Sequence, residues 1–579
     1  MRILLLAHSF NSLTQRLWVE LAARGHVLAV ELDVRDSVTQ EAMALHRPEL
    51  VVAPFLKRRI PDSVWRRVRC LVVHPGIRGD RGPSALDWAI QEREREWGVT
   101  VLEANGELDA GDVWAWRTFP MREATKSSLY RNEVTEAAVE CVLRAIESIA
   151  AGGRAEPLDP SQPGVRGRLR PPIRQADRAI DWQRDDTRTV LAKIRAADGH
   201  PGVLDDIRGL QVYLHDAHGD APVAGAAPGE IVAVEEGAVR RTTSDGSVWI
   251  GRLRVHADTP SLKLPAAEVL GARIADVPER RPAPELVTGF AATRELRYDE
   301  ANGIGYVHFP FHNGAMSTRQ CERLAAAIRH AKSRPVRVIA LLGGEDFWSN
   351  GIHLNAIEAS GHPADESWRN LNAIDDVALE ILTADRQITV AAMQGNAGAG
   401  GVFLALAADR VLARAGVVLN PHYQGMGNLY GSEYWTYLLP RRVGAEAAER
   451  ITARRLPIGA PQAAALGLVD VCVQGDHAAF RTAVRAEAEA LATRHDFARL
   501  LDEKRRRRAE DEAAKPLAAY RAEELERTQL NFYGFDPSYH VARYHFVYKV
   551  PRSRTPLYLA PHRAPRPRAR AVPIAEAAR

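Results

Sequence analysis

Two groups of residues in this 579-residue chain have types and spacings that could do chemistry. The first is RCLVVHPGIRGDRGPSALDWAI (69–90), an apolar run ending at His74, then a Gly-rich loop and a helical pattern. It is followed by GELDAGDVWAW (106–116), which puts Asp109 and Asp112 in a Gly-containing turn. A histidine oriented by a carboxylate, which also favours its charged form, can stabilise an oxyanion or relay a proton in acyl transfer. The same residues also read as a capping histidine and an Asx turn. The second group is EDFWSNGIHLNAI (345–357) with MQGNAGAGGVFLALAADRV (393–411), two glycine loops that each follow a strand-like run and open a helical one. Glycine lets backbone approach a ligand closely, so two such loops can aim two N–H groups at one carbonyl oxygen. A dinucleotide fingerprint is rejected. From Gly398 the pattern runs Gly-x-Gly-x-x-Phe, and Asp409 follows too soon for a ribose-binding acid. Downstream, NPHYQGMGNLYGSEYWTY (420–437) crowds His422, Tyr423, Asn428, Tyr430, Ser432, Glu433 and Tyr434 together. Glu433 is its one carboxylate, and burial among aromatics raises such a pKa towards the working range, so Glu433 is the expected base or proton relay. Each tyrosine taken singly also reads as core packing.

Elements must position these groups. At roughly 150 residues per domain the length predicts three or four domains. Residues 1–150 alternate apolar runs (MRILLLA, VLAVELD, ELVVAPF, RCLVVHP) with amphipathic stretches, which predicts a Rossmann-like parallel sheet with helices on its faces. Residues 151–172 are dense in Gly, Pro and Arg and read as a linker. Short alternating runs over 173–285 predict a small OB-like β-barrel, and PERRPAPEL marks a second linker. Residues 286–530 return to α/β, with VRVIALLGG, ITVAAMQG and ADRVLAR as buried strands. Lys504–Arg508 lies in a helical pattern and reads as a solvated face, with a phosphate contact as the functional alternative. Residues 531–579 form an extension whose Pro- and Arg-rich end, APHRAPRPRARAVPIAEAAR, reads as a disordered tail.

Composition narrows the class. Apolar residues are 46% and charged residues 26%, a soluble globular balance. The net charge of +4 comes from 77 basic and 73 acidic residues, which argues against a nucleic-acid partner. No apolar run reaches the roughly eighteen residues of a membrane span. Four scattered cysteines without a CxxC pair predict neither a disulfide framework nor a thiolate metal site, and a cytoplasmic location is the expectation.

The first group resembles the N10-formyltetrahydrofolate-dependent formyltransferase family, on His74-Pro75, Arg81-Gly82, Leu86–Ile90 and Leu108–Asp112. ADRAIDWQRDDT (176–187) and IRAADGHPGV (194–203) resemble the start of that family's C-terminal barrel. The resemblance implies N10-formyltetrahydrofolate as formyl donor, with His74 and Asp112 catalytic. It implies folate contacts at Pro54, Phe55, Leu56, Arg81, Gly82 and Asp109, within VVAPFLKRRIP (51–61) and the two signatures. One departure is Val72, where the family carries an asparagine whose amide polarises the formyl oxygen. A valine cannot donate, so an acceptor other than a tRNA amine is expected.

The second group resembles the crotonase (enoyl-CoA hydratase/isomerase) superfamily over roughly 295–500. The resemblance implies an α/β spiral domain, coenzyme A as ligand, and oxyanion-hole amides on Ile352 and Gly400. Gly351, His353, Gly401, Tyr430 and Tyr434 would line the thioester pocket, and His353 reads equally as a helix cap. Both hydratase acids are missing: Phe403 and His422 stand in their places. Water addition is therefore not expected, while the oxyanion hole is kept.

The two modules in this order resemble hydrogenase maturation factors of the HoxX/HypX type. That resemblance implies small-molecule substrates, other hydrogenase maturation proteins as partners, and carbon monoxide synthesis through formyl-CoA. Two other readings compete: an amine formyltransferase with an appended acyl-CoA hydratase or isomerase, and a non-catalytic scaffold. Phe403 counts against the appended hydratase, and His74 with Asp112 against the scaffold.

Overall fold

The computed structural model describes residues 1–159, 161–280 and 295–564. The boundary expected at 285/286, most of the second linker and the expected tail beyond Ala564 lie outside the described residues.

The four N-terminal apolar runs are buried on both faces, so they need no in–out alternation. They form strands β1 (Arg2–Ala7), β2 (Val27–Leu32), β3 (Leu50–Phe55) and β4 (Cys70–His74), joined by β5 (Glu96–Glu103) and β6 (Val113–Pro120). The sheet order is β2-β1-β3-β4-β5-β6, parallel through β4 and antiparallel beyond it. In such a sheet ligands bind beyond the C-terminal strand ends, and here β3 and β4 deliver Phe55 and His74.

The second unit pairs β7 (Val203–Ile207), β8 (Leu210–Asp220), β9 (Ile231–Glu235), β10 (Ala238–Thr242), β11 (Ser247–Val255) and β12 (Lys263–Pro265). Their order is β7-β8-β11-β10-β9, with β12 on β11 and every pairing antiparallel. Val248, Ile250 and Leu253 of SVWIGRLRV enter a core with Val190 and Ile194 of the helix Thr187–Ala196, the first two by alternation and Leu253 out of step with it.

In the third unit, β13 (Arg297–Ala301), β14 (Ile304–His308), β15 (Val338–Leu342), β16 (Ile388–Met393), β17 (Arg410–Arg414) and β18 (Val471–Val473) form one sheet in chain order. It is parallel from β14 onward. After β15, β16 and β17 the chain adds Phe347–Ser349, Asn396–Gly398 and Val418–Asn420 to a second small sheet. Each turn thus feeds both layers, a spiral. The glycine loops sit where the chain leaves one layer for the other.

Cross-unit bonds join the three. Asp346 accepts from Ser128 Oγ (2.7 Å) and Asn132 Nδ2 (2.9 Å), Arg414 pairs with Glu136 (2.8 Å), and Arg252 of β11 pairs with Glu295 (3.3 Å). Among the described residues no helix is long and apolar enough to cross a membrane.

Candidate active site

β4 ends at His74, buried to 4% exposure. Its Nε2 lies 3.0 Å from Asp80 Oδ2 and its Nδ1 3.5 Å from Asp109 Oδ2, so two carboxylates flank one imidazole. Gly76 makes this possible, since a Cβ there would stand 2.4 Å from His74 Nε2. Asp80 lies behind the ring, where its Oδ1 accepts from Arg170 Nε at 3.2 Å. Asp109, at φ 51°, faces the cavity and accepts from the Gly82 N–H at 3.2 Å.

Asp112, expected as the catalytic carboxylate, lies away from His74, and Asp109 stands beside the ring instead. The chain turns between the two aspartates with Gly111 pressed against the Glu103 carbonyl, so Asp109 lines the cavity while Asp112 is exposed and off its wall. Pro54, Phe55, Leu56 and Gly82 line the cavity, and Val72 faces it where the asparagine of the formyltransferase pattern would stand. Phe55 packs edge-on to Tyr130 with ring centroids 6.0 Å apart. Arg81, expected against folate, is not on the wall. Its guanidinium lies 3.5 Å from Glu107, and its backbone pairs with Arg168 and Arg170. Asp80 and Arg170 were missed. Asp80 had a signal, a carboxylate in the same loop six residues after His74. Arg170 had none, since it sits in the stretch expected to be a linker.

In the third unit the two glycine loops meet. A Cβ on Gly351 (φ 77°) would stand 3.6 Å from the Gly400 nitrogen. Ala399 holds φ 48°, ψ −127°, a backbone that favours glycine, and turns the chain into the helix Gly400–Leu406. The first N–H groups of a helix have no intrahelical partner, so the Gly400 amide is free to serve a ligand. Ile352 and Gly400 both line the cavity. The Glu433 carboxyl lies against the same spot: a Cβ on Gly400 would meet Glu433 Oε1 at 2.1 Å, so no larger residue fits.

Glu433 is 1% exposed, and burial followed by the nearby Asp375 pushes its pKa up to about 8. The Tyr423 hydroxyl donates to Glu433 Oε2 and Phe403 stacks on Tyr423 with centroids 5.4 Å apart. The aromatic ring at the hydratase acid's place thus packs the tyrosine that holds Glu433. Tyr423 was expected only within its crowded segment. Tyr430, Tyr434 and Gly401, expected in the thioester pocket, are off the wall. Tyr434 is packed in the core, Tyr430 against Trp435 (5.3 Å), and Gly401 against the Ser349 carbonyl. His353 lines the cavity, and its Nδ1 caps the helix Leu354–Ala359 by accepting from the Ala356 N–H (3.1 Å). Burial lowers its pKa to about 3, so the ring is neutral. His422, at the second missing acid, also lines the cavity, and burial lowers it to about 4.

Both groups open on one continuous cavity of about 2700 Å³. Its wall runs from His74 and Asp109, past Arg252, Arg254 and Lys263 of the second unit, to Ile352, Gly400 and Glu433. The segment 537–559 supplies further wall, including Tyr558 and Leu559.

Three family models match the chain: formyl transferase over 25–146, formyl transferase C-terminal domain over 172–261, and enoyl-CoA hydratase/isomerase over 299–529. The chain is 56% identical over 576 residues to the hydrogenase maturation factor HoxX of Bradyrhizobium diazoefficiens, covering 99% of this chain and 100% of that one. It is similar to the crystal structure of HypX from Aquifex aeolicus in complex with tetrahydrofolic acid, at TM-score 0.93 and 50% identity, covering 97% of this chain and 99% of that one. The methionyl-tRNA formyltransferase of Syntrophus aciditrophicus is 22% identical over 235 residues, 40% of this chain and 74% of that one.

Proposed function

The chain belongs to the HoxX/HypX family of hydrogenase maturation factors, and on that footing we propose that it makes carbon monoxide in two steps. The formyl group of N10-formyltetrahydrofolate passes to the thiol of coenzyme A, and the resulting formyl-CoA is decarbonylated. The gas would serve the iron centre of nickel–iron hydrogenase, alongside other maturation proteins in the cytoplasm. One observation carries the reading: the His74 and Glu433 sites line a single cavity, so a thioester formed at one can reach the other without leaving it.

The walls suit both substrates. The Phe55–Tyr130 pair offers apolar surface for a pterin, in keeping with the tetrahydrofolate of the Aquifex HypX structure. Arg252, Arg254 and Lys263 offer cations to anionic groups, and Ile352 with Gly400 offers two amides to a thioester oxygen. In the first step His74, held from behind by Asp80, accepts the thiol proton. The sulfur bonds to the formyl carbon as the carbon–N10 bond breaks, and the proton goes to N10. In the second, the two amides hold the thioester oxygen while Glu433 takes the formyl hydrogen as a proton. The carbon keeps the C–H electron pair as the C–S bond breaks, and Glu433 returns the proton to the leaving sulfur. The products are carbon monoxide and the CoA thiol. No water is added, in accord with Phe403 at the hydratase position.

Incubation with N10-formyltetrahydrofolate and coenzyme A, with carbon monoxide trapped on haemoglobin, tests this. Carbon monoxide that requires both substrates is expected. A formylated amine without the gas would favour the amine formyltransferase with an appended module, and no turnover would favour a scaffold.

A further inference from the structure

Glu433 sits in a turn with an unusual backbone. Glu433 and Tyr434 are consecutive non-glycine residues at φ 61° and 58°, a region L side chains avoid. Something outside the turn must hold it there. Its donors show what does. The Glu433 N–H donates to Asp375 Oδ1 at 2.7 Å, and the Ser432 hydroxyl donates to Asp375 Oδ2 at 2.8 Å. The N–H groups of Tyr434 and Thr436 donate to Glu524 at 2.9 and 2.8 Å. Asp375 comes from the helix Pro363–Leu382 and Glu524 from the helix Leu517–Tyr533, and both side chains are fully buried. The two carboxylates clamp the turn from two helices.

We propose that Asp375 is a positioning residue of this site: it locks the Ser432–Glu433–Tyr434 turn so that the Glu433 carboxyl lies against Gly400, and it sets a second carboxylate beside the base. The inference rests on Glu433 carrying the proton in decarbonylation. The charges around Glu433 are few. Tyr423 lies on its own segment, Cys321 on the helix Thr318–Ser333, and Asp375, Glu524 and Arg521 on the two clamping helices. Arg521 Nε is 3.6 Å from Asp375 Oδ2, so the guanidinium favours charge on Asp375 rather than on Glu433. Burial raises the pKa of all three acids, Asp375, Glu524 and Glu433. An acid near the working pH both takes and returns a proton.

Asp375→Asn keeps an oxygen for the Glu433 N–H and removes the charge, so the pKa of Glu433 should fall. Carbon monoxide release from supplied formyl-CoA should then keep its KM within about twofold, lose about tenfold in kcat, and have its rising pH limb moved down by about one unit. A loss equal at all pH values, with the limb unmoved, would reduce Asp375 to a structural role and overturn the proposal, as would wild-type behaviour. An infrared titration supplies a readout independent of turnover and of that variant's folding. The wild type should show a protonated-carboxyl band that titrates near neutrality and is lost in Glu433→Gln, and its absence also overturns the proposal. Such a band without any carbon monoxide from formyl-CoA would defeat the proposed function and leave the clamp standing.

Discussion

At the residue scale the proposed function divides the work between His74 and Glu433, and substitutions separate them. His74→Ala should abolish carbon monoxide from N10-formyltetrahydrofolate yet leave release from supplied formyl-CoA intact, while Glu433→Gln should block both. Retained activity in Glu433→Gln would remove it as the base. The geometry also distinguishes the two aspartates of the Leu-Asp-x-Gly-Asp signature. Asp109→Asn removes a carboxylate that flanks His74 and should slow formyl-folate consumption by roughly 10²–10⁴-fold, the usual worth of the acid–base catalysis it supports. Asp112→Asn, on an exposed side chain, should be close to wild type. A sequence can name the signature, but the two aspartates differ only in which side of a tight turn they leave, and that depends on how Gly111 packs against β5.

At the element scale the segment 151–172 behaves as part of the first site. Its backbone pairs with the His74 loop through Gly167 N–H to Arg78 O (3.0 Å) and Arg170 N–H to Arg81 O (2.9 Å), and its Arg170 side chain holds Asp80. A run of Gly, Pro and Arg reads as linker because it has no hydrophobic period. Its role comes from fitting against a loop that is itself irregular. Arg170→Ala leaves Asp80 buried without its cation, which should cost about 3–5 kcal/mol in thermal or denaturant unfolding. Formyl transfer should fall, while release from formyl-CoA, measured below the unfolding transition, persists. The Lys504–Arg508 run shows the opposite outcome. Lys504 donates to the Gln387 carbonyl (2.8 Å) and Arg508 to the Tyr437 hydroxyl (2.6 Å), and neither lies on the cavity wall. It docks the helix Phe497–Ala514 on the third unit.

At the scale of the whole molecule, the chain's far end returns to its beginning. β2 is an edge strand of the first sheet, and its N–H groups at Val30 and Leu32 donate to Leu559 O and Thr555 Oγ1, both at 2.8 Å. The carboxyl of Glu31, fully buried between them, accepts from Thr555 and bonds His562 (3.0 Å) and Arg563 (2.8 Å). This strap covers the edge and adds Tyr558 and Leu559 to the cavity wall. Stopping the chain after Val550, with Glu31→Gln to avoid a stranded charge, should open the cavity further to water. Each half-reaction should persist, while formate from hydrolysed formyl-CoA replaces part of the carbon monoxide, because closure is what protects a reactive intermediate. An unchanged ratio of gas to formate would mean that the strap does not seal the path.

What the sequence determined by itself was local. Apolar runs buried on both faces made the strands of β1–β4, and glycine loops after strands placed His74, Gly351 and Gly400 at sheet ends, because strand burial and glycine's backbone freedom act over a few residues. The lone carboxylate of 420–437 likewise pointed to Glu433. Tertiary structure alone decided which aspartate faces His74, that Arg170 stands behind Asp80, and that Asp375 and Glu524 clamp the Glu433 turn. It also joined the two sites in one cavity. Those pairings link residues tens to hundreds of positions apart, and long-range packing of buried charges leaves no period or motif in the chain to be read beforehand.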